Sequence, residues 1–243
     1  MKNKIVSYDE WLSKRLNLLD KEKALTKLQD EISYERRQLP WVRLSKEYHF
    51  NSANGTVSLI DLFGKNSQLI IYHFMFQEDW EEGCKSCSII TDSLNPCTTH
   101  LNARDVSLVL VSRAELKKLT AFKKRMGWTI DWVSSPDNEF NIDFHVCTDN
   151  INNDGDYYYN YRMMSLYPQG ELPGLSVFKK DSDDNIYHTY STYGRGLEAF
   201  IGTYRLLDTV PEGRNEAMLA WPMEWIKHND QYDTDEKSSC CRK

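Results

Sequence analysis

The first forty residues place apolar side chains among charged ones with a helical period. Over residues 8–38 the large apolar residues recur at spacings of three and four, with no glycine or proline between them. This period predicts one or two amphipathic helices. Ser7 is the expected N-cap, and Glu10, three residues later, completes a capping box. Pro40 should end the segment, because proline removes a backbone donor. We therefore expect residues 1–40 to be a helical extension outside the main domain.

Six apolar or β-branched runs bounded by turn residues predict β-strands: segments 48–50, 56–59, 68–76, 106–112, 174–178 and 185–190. The first two flank an Asn54-Gly55 pair, which is typical of a β-hairpin. Segments 68–76 and 106–112 are nearly continuous apolar runs, as expected of strands buried on both faces. We expect the first of these two to be the central strand of the sheet.

A helical pattern follows each of the two buried strands. Segment 84–101 should be bent or broken near Pro96, and segment 114–126 should end at Gly127. A third helical pattern covers residues 197–207. Strand, helix, strand, helix in this order predicts a parallel βαβ unit with right-handed crossovers. The predicted fold class is therefore α/β, with a central mixed sheet flanked by helices.

Two segments have weaker patterns. Segment 131–161 is polar and rich in Asp, Asn and Tyr, and we interpret it as an insertion that extends to about residue 170, before the strand at 174–178. The chain ends in Ser-Ser-Cys-Cys-Arg-Lys, and we expect residues 233–243 to be a flexible tail. These boundaries leave residues 41–232 as the main domain.

Composition narrows the classes of function. A chain of 243 residues, 40% of them hydrophobic, can form one large folded domain. A formal net charge of -6 argues against a nucleic-acid partner, because binding phosphates requires a basic face. The N-terminus has no signal-peptide core, and no apolar stretch approaches the roughly 18 residues of a membrane span. We therefore expect no membrane partner and a cytoplasmic location.

The leading chemical signal is the sequence Cys84-Lys85-Ser86-Cys87, where a loop after the central strand leads into a helix. Six cysteines in a chain of this length do not form a disulfide framework, so a close pair indicates redox activity or metal binding. The N–H groups and dipole of a helix N-terminus favour a thiolate at the first cysteine, and the Lys85 ammonium should act in the same direction. We assign nucleophilic attack to Cys84 and resolution of a mixed disulfide to Cys87.

Two other interpretations of the dithiol stay open. A zinc half-site is one, although a tetrahedral site needs four ligands and the sequence has no second C-x-x-C. A pair of inert thiols is the other. The redox interpretation needs neither a metal nor a cofactor, and we predict none.

Pro173 is the second signal, because it stands immediately before the predicted strand at 174–178. Thioredoxin-like sites place a cis-proline at this position, facing the dithiol, and proline is the only residue that adopts cis at low cost. Together with the dithiol and the βαβ order, this favours a thioredoxin-like fold with a cis bond before Pro173. A trans proline that merely begins a strand is the alternative.

Aromatic residues supply a third signal. The tyrosine-rich segment 157–161, together with Trp80 and Trp128, is predicted to lie near the dithiol as a recognition wall. We therefore predict that Trp80, Lys85, Trp128 and Tyr159 bind substrate. Ordinary aromatic packing is the alternative.

Two residues of the central strand, Tyr72 and His73, should point to opposite faces of the sheet, and we interpret both as core residues. His145 lies beside Cys147 and is a candidate neighbour of a metal or a thiol. Cys97 is interpreted as a thiol at a helix end.

The motifs now in view resemble those of an uncharacterised thioredoxin-like family, domain of unknown function 899, over residues 5–232. The motifs are IVSYDEW at 5–11, LPWV at 39–42, YHFMF at 72–76, DWEEGC at 79–84, SC at 86–87, RMGW at 125–128, WVSS at 132–135, LPGLSV at 172–177 and HTYSTY at 188–193. The stretch 106–135 also resembles the peroxiredoxin branch of the superfamily. Peroxiredoxins have Thr-x-x-Cys where this chain has Cys84 and Cys87, and members of the family commonly have proline in place of Lys85.

These observations favour a thiol–disulfide oxidoreductase that passes electrons from a cellular dithiol to a disulfide of a protein or small molecule, or to another small oxidant. A thiol peroxidase is the alternative enzyme, with either cysteine forming the sulfenate. A thioredoxin-fold interaction or metal-carrier module, with His145 assisting the dithiol, is the alternative without catalysis. Oligomeric state stays open, and a homo-oligomer is compatible with the helical extension.

Overall fold

The computed structural model describes residues 3–136, 138–149, 155–165 and 170–232. The chain separates into two compact units, one that ends at Trp41 and one that begins at Val42. The N-terminal unit contains one helix, α1 (Tyr8–Gln38), so the helical pattern is confirmed as a single element. The Ser7 side chain accepts the Glu10 backbone N–H at 3.3 Å, as the capping box predicted. No residue of α1 is buried.

The second unit is built on an eight-stranded mixed sheet with the strand order β1-β10-β9-β4-β5-β6-β2-β3. Strands β4, β5 and β6 are mutually parallel, and the other pairs are antiparallel. The strands are β1 (Val42–Arg43), β2 (His49–Ser52), β3 (Gly55–Ser58), β4 (Gln68–His73), β5 (Val106–Ser112), β6 (Asp131–Ser134), β9 (Gly174–Lys180) and β10 (Ile186–Tyr193). Strands β7 (Tyr157–Tyr159) and β8 (Arg162–Met164) form a separate ribbon.

Helices cover the sheet and connect the parallel strands. They are α2 (Lys85–Leu94), α3 (Thr98–Asn102), α4 (Leu116–Met126), α5 (Phe140–Asp143) and α6 (Gly202–Leu207), with 3₁₀ helices at Asp61–Phe63, Asn95–Cys97 and Gly194–Phe200. The order β4-α2-α3-β5-α4-β6 followed by the antiparallel pair β9-β10 is a thioredoxin-like fold. The prediction of an α/β protein with a mixed sheet flanked by helices is confirmed. No helix in the described part of the chain is long and apolar enough to cross a membrane.

Strand β4 is the centre of the sheet, as predicted, because it pairs with β5 on one side and β9 on the other. Alternate side chains of β4 enter different cores. Leu69 and Ile71 pack with the hairpin and α5, whereas Tyr72 and the following Phe74 pack with α2 and α4. The apolar run therefore supplies both cores, which explains its lack of polar alternation.

Two of the predicted helices break or end at the residues that the sequence indicated. The helix after β4 breaks at the 3₁₀ helix Asn95–Cys97, which contains Pro96. Helix α4 ends at Gly127, which has a left-handed φ of 71°. Residues 197–207 are only partly α-helical, because Leu197 lies in a 3₁₀ helix and α6 begins at Gly202.

One boundary of the sequence interpretation was wrong. Residues 131–134, which we assigned to an insertion, form β6, paired in parallel with β5 from Val109↔Asp131 to Ser112↔Ser134. Trp132 and Val133 are buried in opposite cores. A strand of four residues between polar neighbours is too short to produce a clear alternation of apolar and polar residues, so the sequence did not indicate β6. The predicted flexible tail, residues 233–243, lies outside the described residues.

Gly127 provides a test of this helix end. A Cβ atom at this position would meet nothing within 4 Å, so any effect of Gly127→Ala comes from the left-handed backbone. We expect Gly127→Ala to lower the free energy of unfolding by about 1–2 kcal/mol. Gly127→Asn should cost less, because asparagine tolerates this conformation better. Denaturant unfolding of the three proteins measures the difference, and equal stability of the alanine variant would contradict the assignment.

Candidate functional site

The two cysteines follow the central strand, where an eleven-residue connection, residues 74–84, leads from β4 to α2. Three backbone hydrogen bonds fix this connection to its surroundings. Phe74 N–H donates to Val111 at 2.9 Å, Ala114 N–H donates to Phe76 at 2.8 Å, and Cys84 N–H donates to Met75 at 3.1 Å. The dithiol therefore stands at the carboxyl end of the parallel strands, at the N-terminus of a helix.

Cys84 is the N-cap residue of α2. Its carbonyl oxygen accepts the Ser88 N–H and the Ser88 hydroxyl, each at 2.9 Å, and its sulfur is half-buried. Hydrogen bonds lower the pKa of the Cys84 thiol to about 7, the largest from the Cys87 thiol and further ones from the backbone N–H groups of Cys87 and Ser86. These donors outweigh the effect of burial, which raises the pKa. A substantial fraction of Cys84 is therefore thiolate near neutral pH.

Cys87 has the opposite environment. It is buried, with 1% of its surface exposed, and it lies one turn into α2. Burial is the largest cause that raises the pKa of its thiol well above the ordinary range, followed by the interaction with Cys84. Both cysteines are free thiols in the structure. The predicted contrast between an accessible, acidic first thiol and a buried, less acidic second thiol agrees with these environments.

Lys85 has a smaller part than we predicted. It is exposed at the first position of α2. The leading causes of the lowered Cys84 pKa are hydrogen bonds from Cys87 and Ser86, and Lys85 is not one of them. The thiolate is therefore stabilised mainly by short-range donors of the helix terminus, since an exposed ammonium group is strongly solvated.

Tyr72, which we expected to be an ordinary core residue, lies in the same buried cluster as Cys87. Its side chain is fully buried on the α2 side of β4. Among the described residues its hydroxyl makes no hydrogen bond of standard geometry. Cys87 belongs to the same buried cluster, and the Tyr72 hydroxyl acts to lower the pKa of its thiol. Period two could have placed Tyr72 on the α2 face, but no sequence pattern shows which buried residue meets a sulfur.

The predicted cis bond before Pro173 was wrong, because the described chain contains no cis peptide bond. Leu172 N–H donates to the Val146 carbonyl at 2.8 Å, and the Pro173 carbonyl accepts the Tyr159 hydroxyl at 2.7 Å. The extended chain satisfies both bonds and enters β9 at Gly174, opposite His73 of β4. With these partners in place, the trans isomer keeps its intrinsic advantage of about 0.5–1 kcal/mol.

The predicted aromatic residues do not share one surface. Trp128 is 6% exposed, and its indole N–H donates to Asp92 of α2 at 2.7 Å. Tyr159 belongs to a different core cluster, where its ring lies 5.4 Å from that of Tyr193. Trp80 is half-buried against the cluster that contains Cys87. Ordinary packing therefore describes Trp128 and Tyr159, and Trp80 is the least buried of the three predicted aromatic residues.

A buried carboxyl group supports the connection from the side of β9. Glu171 accepts the Phe76 N–H, the Arg113 N–H at 3.1 Å and the Asn141 side-chain N–H at 3.4 Å. Burial raises the pKa of Glu171 to about 7, although the backbone donors Phe76 and Arg113 act to lower it. One side chain therefore joins the connection after β4 to the residue that follows β5 and to α5. Glutamate is a charged residue type that is usually exposed, so the sequence did not indicate that Glu171 is buried.

The C-terminal segment supports the same connection from the α4 side. His228 is fully buried, and its Nε2 lies 2.8 Å from the Gly83 carbonyl oxygen. Arg125 of α4 pairs with Glu82 and, at 2.7 Å, with Asp230. Residues that are almost 150 positions apart in the chain therefore fix the loop that ends at Cys84, and sequence spacing could not indicate this.

The other cysteines and the predicted metal neighbour have different surroundings. Cys97 is exposed, and its thiol donates to the Ser93 carbonyl at 3.4 Å. Cys147 is buried, and burial raises its thiol pKa. His145 packs edge-on against Tyr158 with ring centroids 4.7 Å apart. Within the described ranges no group of three or more His, Cys, Asp or Glu side chains is arranged to hold a metal. Cys240 and Cys241 lie outside the described residues.

A family model described as a bacterial protein of unknown function (DUF899) matches residues 1–232 of the chain. A search of curated proteins found no match. Among solved structures the chain is similar to a peroxiredoxin Q from Xanthomonas campestris, with 12% identity, a TM-score of 0.43, and coverage of 65% of this chain and 90% of that one.

Two further solved structures are similar to the chain at a comparable level of identity. Peroxidoxin BcpB from Mycobacterium tuberculosis has 10% identity, a TM-score of 0.43, and coverage of 69% of this chain and 97% of that one. PrxQ from Xylella fastidiosa has 15% identity, a TM-score of 0.41, and coverage of 65% and 88%. Similarity at this level carries no information about the chemistry of the site.

The different environments of the two sulfurs predict different titrations. Alkylation of Cys84 in the Cys87→Ser variant should rise with pH around a midpoint near 7, because the serine hydroxyl can still donate to the thiolate. Alkylation of Cys87 in the Cys84→Ser variant should be slower and should rise only above the ordinary range of a thiol. Mass spectrometry of the labelled peptides separates the two signals from those of other cysteines. A more acidic Cys87 would reverse the assignment of roles.

Gly83 tests whether the loop before Cys84 is tightly packed. A Cβ atom there would lie 2.6 Å from the Phe74 ring and 3.0 Å from the Phe122 ring. Gly83→Ala should therefore lower the free energy of unfolding by about 1–3 kcal/mol. The matched control is Gly202→Ala at the first position of α6, where the nearest contact is the Ser93 hydroxyl at 3.5 Å. Equal thermal stability of the two variants would show that the loop adapts.

Proposed function

The chain belongs to the bacterial family DUF899, whose function is unknown, and from its site we propose that it is a thiol–disulfide oxidoreductase that uses Cys84 and Cys87 as its redox pair. The observation that carries the proposal is the pairing of an accessible, acidified thiol at a helix N-terminus with a buried thiol one turn away. An inert structural pair would not need this asymmetry, because two thiols packed in a core are both made less acidic by burial.

The first half of the reaction begins with the Cys84 thiolate. It attacks one sulfur of a substrate disulfide, a Cys84–substrate bond forms, and the other substrate sulfur leaves as a thiolate. The Cys87 sulfur then attacks Cys84, the mixed disulfide breaks, and the second substrate sulfur leaves. The Cys87 proton passes to a departing thiolate. The products are a substrate dithiol and a Cys84–Cys87 disulfide, so two electrons have moved from the protein to the substrate.

A cellular dithiol completes the cycle by reducing the Cys84–Cys87 disulfide. Its thiolate attacks Cys84, which is the less buried residue of the pair, and Cys87 leaves. The second thiol of the donor then displaces Cys84. No cofactor is required for this exchange, because the two sulfurs hold the electrons themselves. A dithiol donor of this kind fits the reducing cytoplasm in which we expect the protein to act.

The surroundings of Cys84 indicate how a substrate would be held. Trp80 offers a partly exposed apolar ring, and Lys85 offers an exposed charge at the first turn of α2. We assign both to the edge of the substrate site. Pro173 and Tyr159 are assigned to its support, because their hydrogen bond at 2.7 Å fixes the backbone that leads into β9.

Single cysteine variants test the proposal. Cys87→Ser should accumulate a mixed disulfide with a disulfide substrate, because attack by Cys84 survives and the resolving thiol is missing. Cys84→Ser should form none. The matched control is Cys97→Ser, which removes an exposed thiol outside the pair and should react like the wild-type protein. Nonreducing electrophoresis and mass spectrometry of the trapped adduct give the readout.

Three results would contradict the proposal. The first is a Cys87→Ser variant that forms no adduct with any disulfide tested. The second is faster oxidation of the pair by hydrogen peroxide than by disulfides, which would favour a thiol peroxidase. The third is stoichiometric zinc or copper in protein purified without chelator, which would favour a metal carrier.

A further inference from the structure

The side chain with the least ordinary environment near the dithiol is Tyr72. It is a tyrosine in the middle of the apolar cluster between β4, α2 and α4, and none of its surface is exposed. Its neighbours in the sheet are Leu110 of β5 and Leu175 of β9, and its ring meets that of Phe74 edge-on at 6.3 Å. Phenylalanine would suit these contacts equally well, so the packing does not account for the hydroxyl.

A buried hydroxyl without a partner is destabilising, and most buried polar groups have one. Tyr193 shows the usual arrangement in this protein, since its hydroxyl donates to the Phe144 carbonyl at 3.0 Å. The Tyr72 hydroxyl has no such bond among the described residues, and it lies in the same buried cluster as Cys87, whose thiol interacts with it. A neutral thiol is a weak acceptor, whereas a thiolate is a strong one.

We propose that the Tyr72 hydroxyl is a catalytic group of the dithiol, which donates a hydrogen bond to the Cys87 sulfur whenever that sulfur carries negative charge. The inference rests on the proposed function, because at neutral pH this charge arises when Cys87 resolves a mixed disulfide or leaves the Cys84–Cys87 disulfide. Tyr72 keeps its proton throughout. The proton lost by Cys87 goes to the departing substrate thiolate, so the hydroxyl acts as a donor and not as a base.

The positions of the other donors explain why Cys87 needs this contact. The N–H groups at the start of α2 act on Cys84, whereas Cys87 lies in the first turn and faces the sheet. Burial and the neighbouring Cys84 both disfavour a thiolate at Cys87. Only the Tyr72 hydroxyl and the Met75 backbone are among the leading groups that act in the opposite direction. Burial also raises the pKa of Tyr72 well above its usual value, so its hydroxyl remains a donor at neutral pH.

The decisive variant is Tyr72→Phe, which removes one oxygen and keeps the ring. In the Cys84→Ser background, titration of the Cys87 thiolate by its ultraviolet absorbance should shift to higher pH, with about a tenfold loss of thiolate at a given pH. Resolution of a preformed Cys84 mixed disulfide at pH 7 should slow by about the same factor. Attack by Cys84, measured in the Cys87→Ser background, should change less than twofold, because the Cys84 donors are untouched.

The matched control is Tyr193→Phe, which removes a buried hydroxyl on a different core cluster. It should leave both thiol titrations unchanged and should lower the unfolding midpoint, because it leaves the Phe144 carbonyl without a donor. Tyr72→Phe should not lower the unfolding midpoint, since its hydroxyl has no standard bond to lose. A purely structural Tyr72 would give the opposite result, namely lower stability with unchanged titration of Cys87.

The titration does not depend on any substrate, so it separates this inference from the proposed function. An unchanged Cys87 titration in Tyr72→Phe overturns the role of Tyr72, whether or not the protein reduces disulfides. A shifted titration in a protein that exchanges no disulfide supports the contact and overturns the oxidoreductase. If Tyr72→Phe folds poorly, fluorotyrosine at position 72 replaces it. The stronger donor should then shift the Cys87 titration to lower pH, and no shift would overturn the inference.

Discussion

The site depends on how the backbone after β4 is held, because that backbone decides where α2 begins. The peptide group between Met75 and Phe76 is bonded at both ends, its carbonyl by Cys84 N–H and its N–H by Glu171. A helix that began one residue later would remove Cys84 from the N-cap position, and the N–H groups that now lower its pKa would be directed elsewhere. The acidity of one sulfur therefore follows from the hydrogen bonds of a loop.

The same geometry makes the two sulfurs unequal without any difference in residue type. Cys84 caps the helix and is half-exposed, whereas Cys87 is turned towards the sheet and meets Tyr72. For exchange chemistry this inequality is useful, because the acidic thiol reacts with substrate and the buried thiol stays protonated until the first bond has formed. The cost is that Cys87 must carry charge in an apolar cluster, and the Tyr72 hydroxyl is placed where it can reduce that cost.

Regular patterns in the sequence predicted the regular parts of the fold. The apolar run of β4, the break at Pro96 and the end of α4 at Gly127 are local signals, and the structure contains all three. The contrast between Cys84 and Cys87 was also predictable, since it follows from position on one helix. Strand β6 was missed because four residues give no reliable period.

What the sequence could not predict depends on contacts between distant segments. A residue's type does not show which neighbours surround it in the fold. Trp128 and Tyr159 were therefore assigned to a recognition wall, and Tyr72 to ordinary core packing. The backbone on either side of the trans bond before Pro173 is hydrogen-bonded to Val146 and Tyr159, which come from other parts of the chain. Such bonds are set by tertiary structure, and propensity is a weak guide to them.

The distant supports also limit how the site can change during a redox cycle. The backbone N–H of Cys84 is bonded to Met75, its carbonyl to Ser88, and the preceding Gly83 carbonyl to the buried His228. Moving the Cys84 backbone would therefore break several buried bonds at once, each of which is costly to leave unmade. Rotation about the side-chain bonds of the two cysteines breaks none of them. The formation and reduction of a Cys84–Cys87 disulfide would accordingly alter side-chain rotamers and leave the loop and the helix terminus in place.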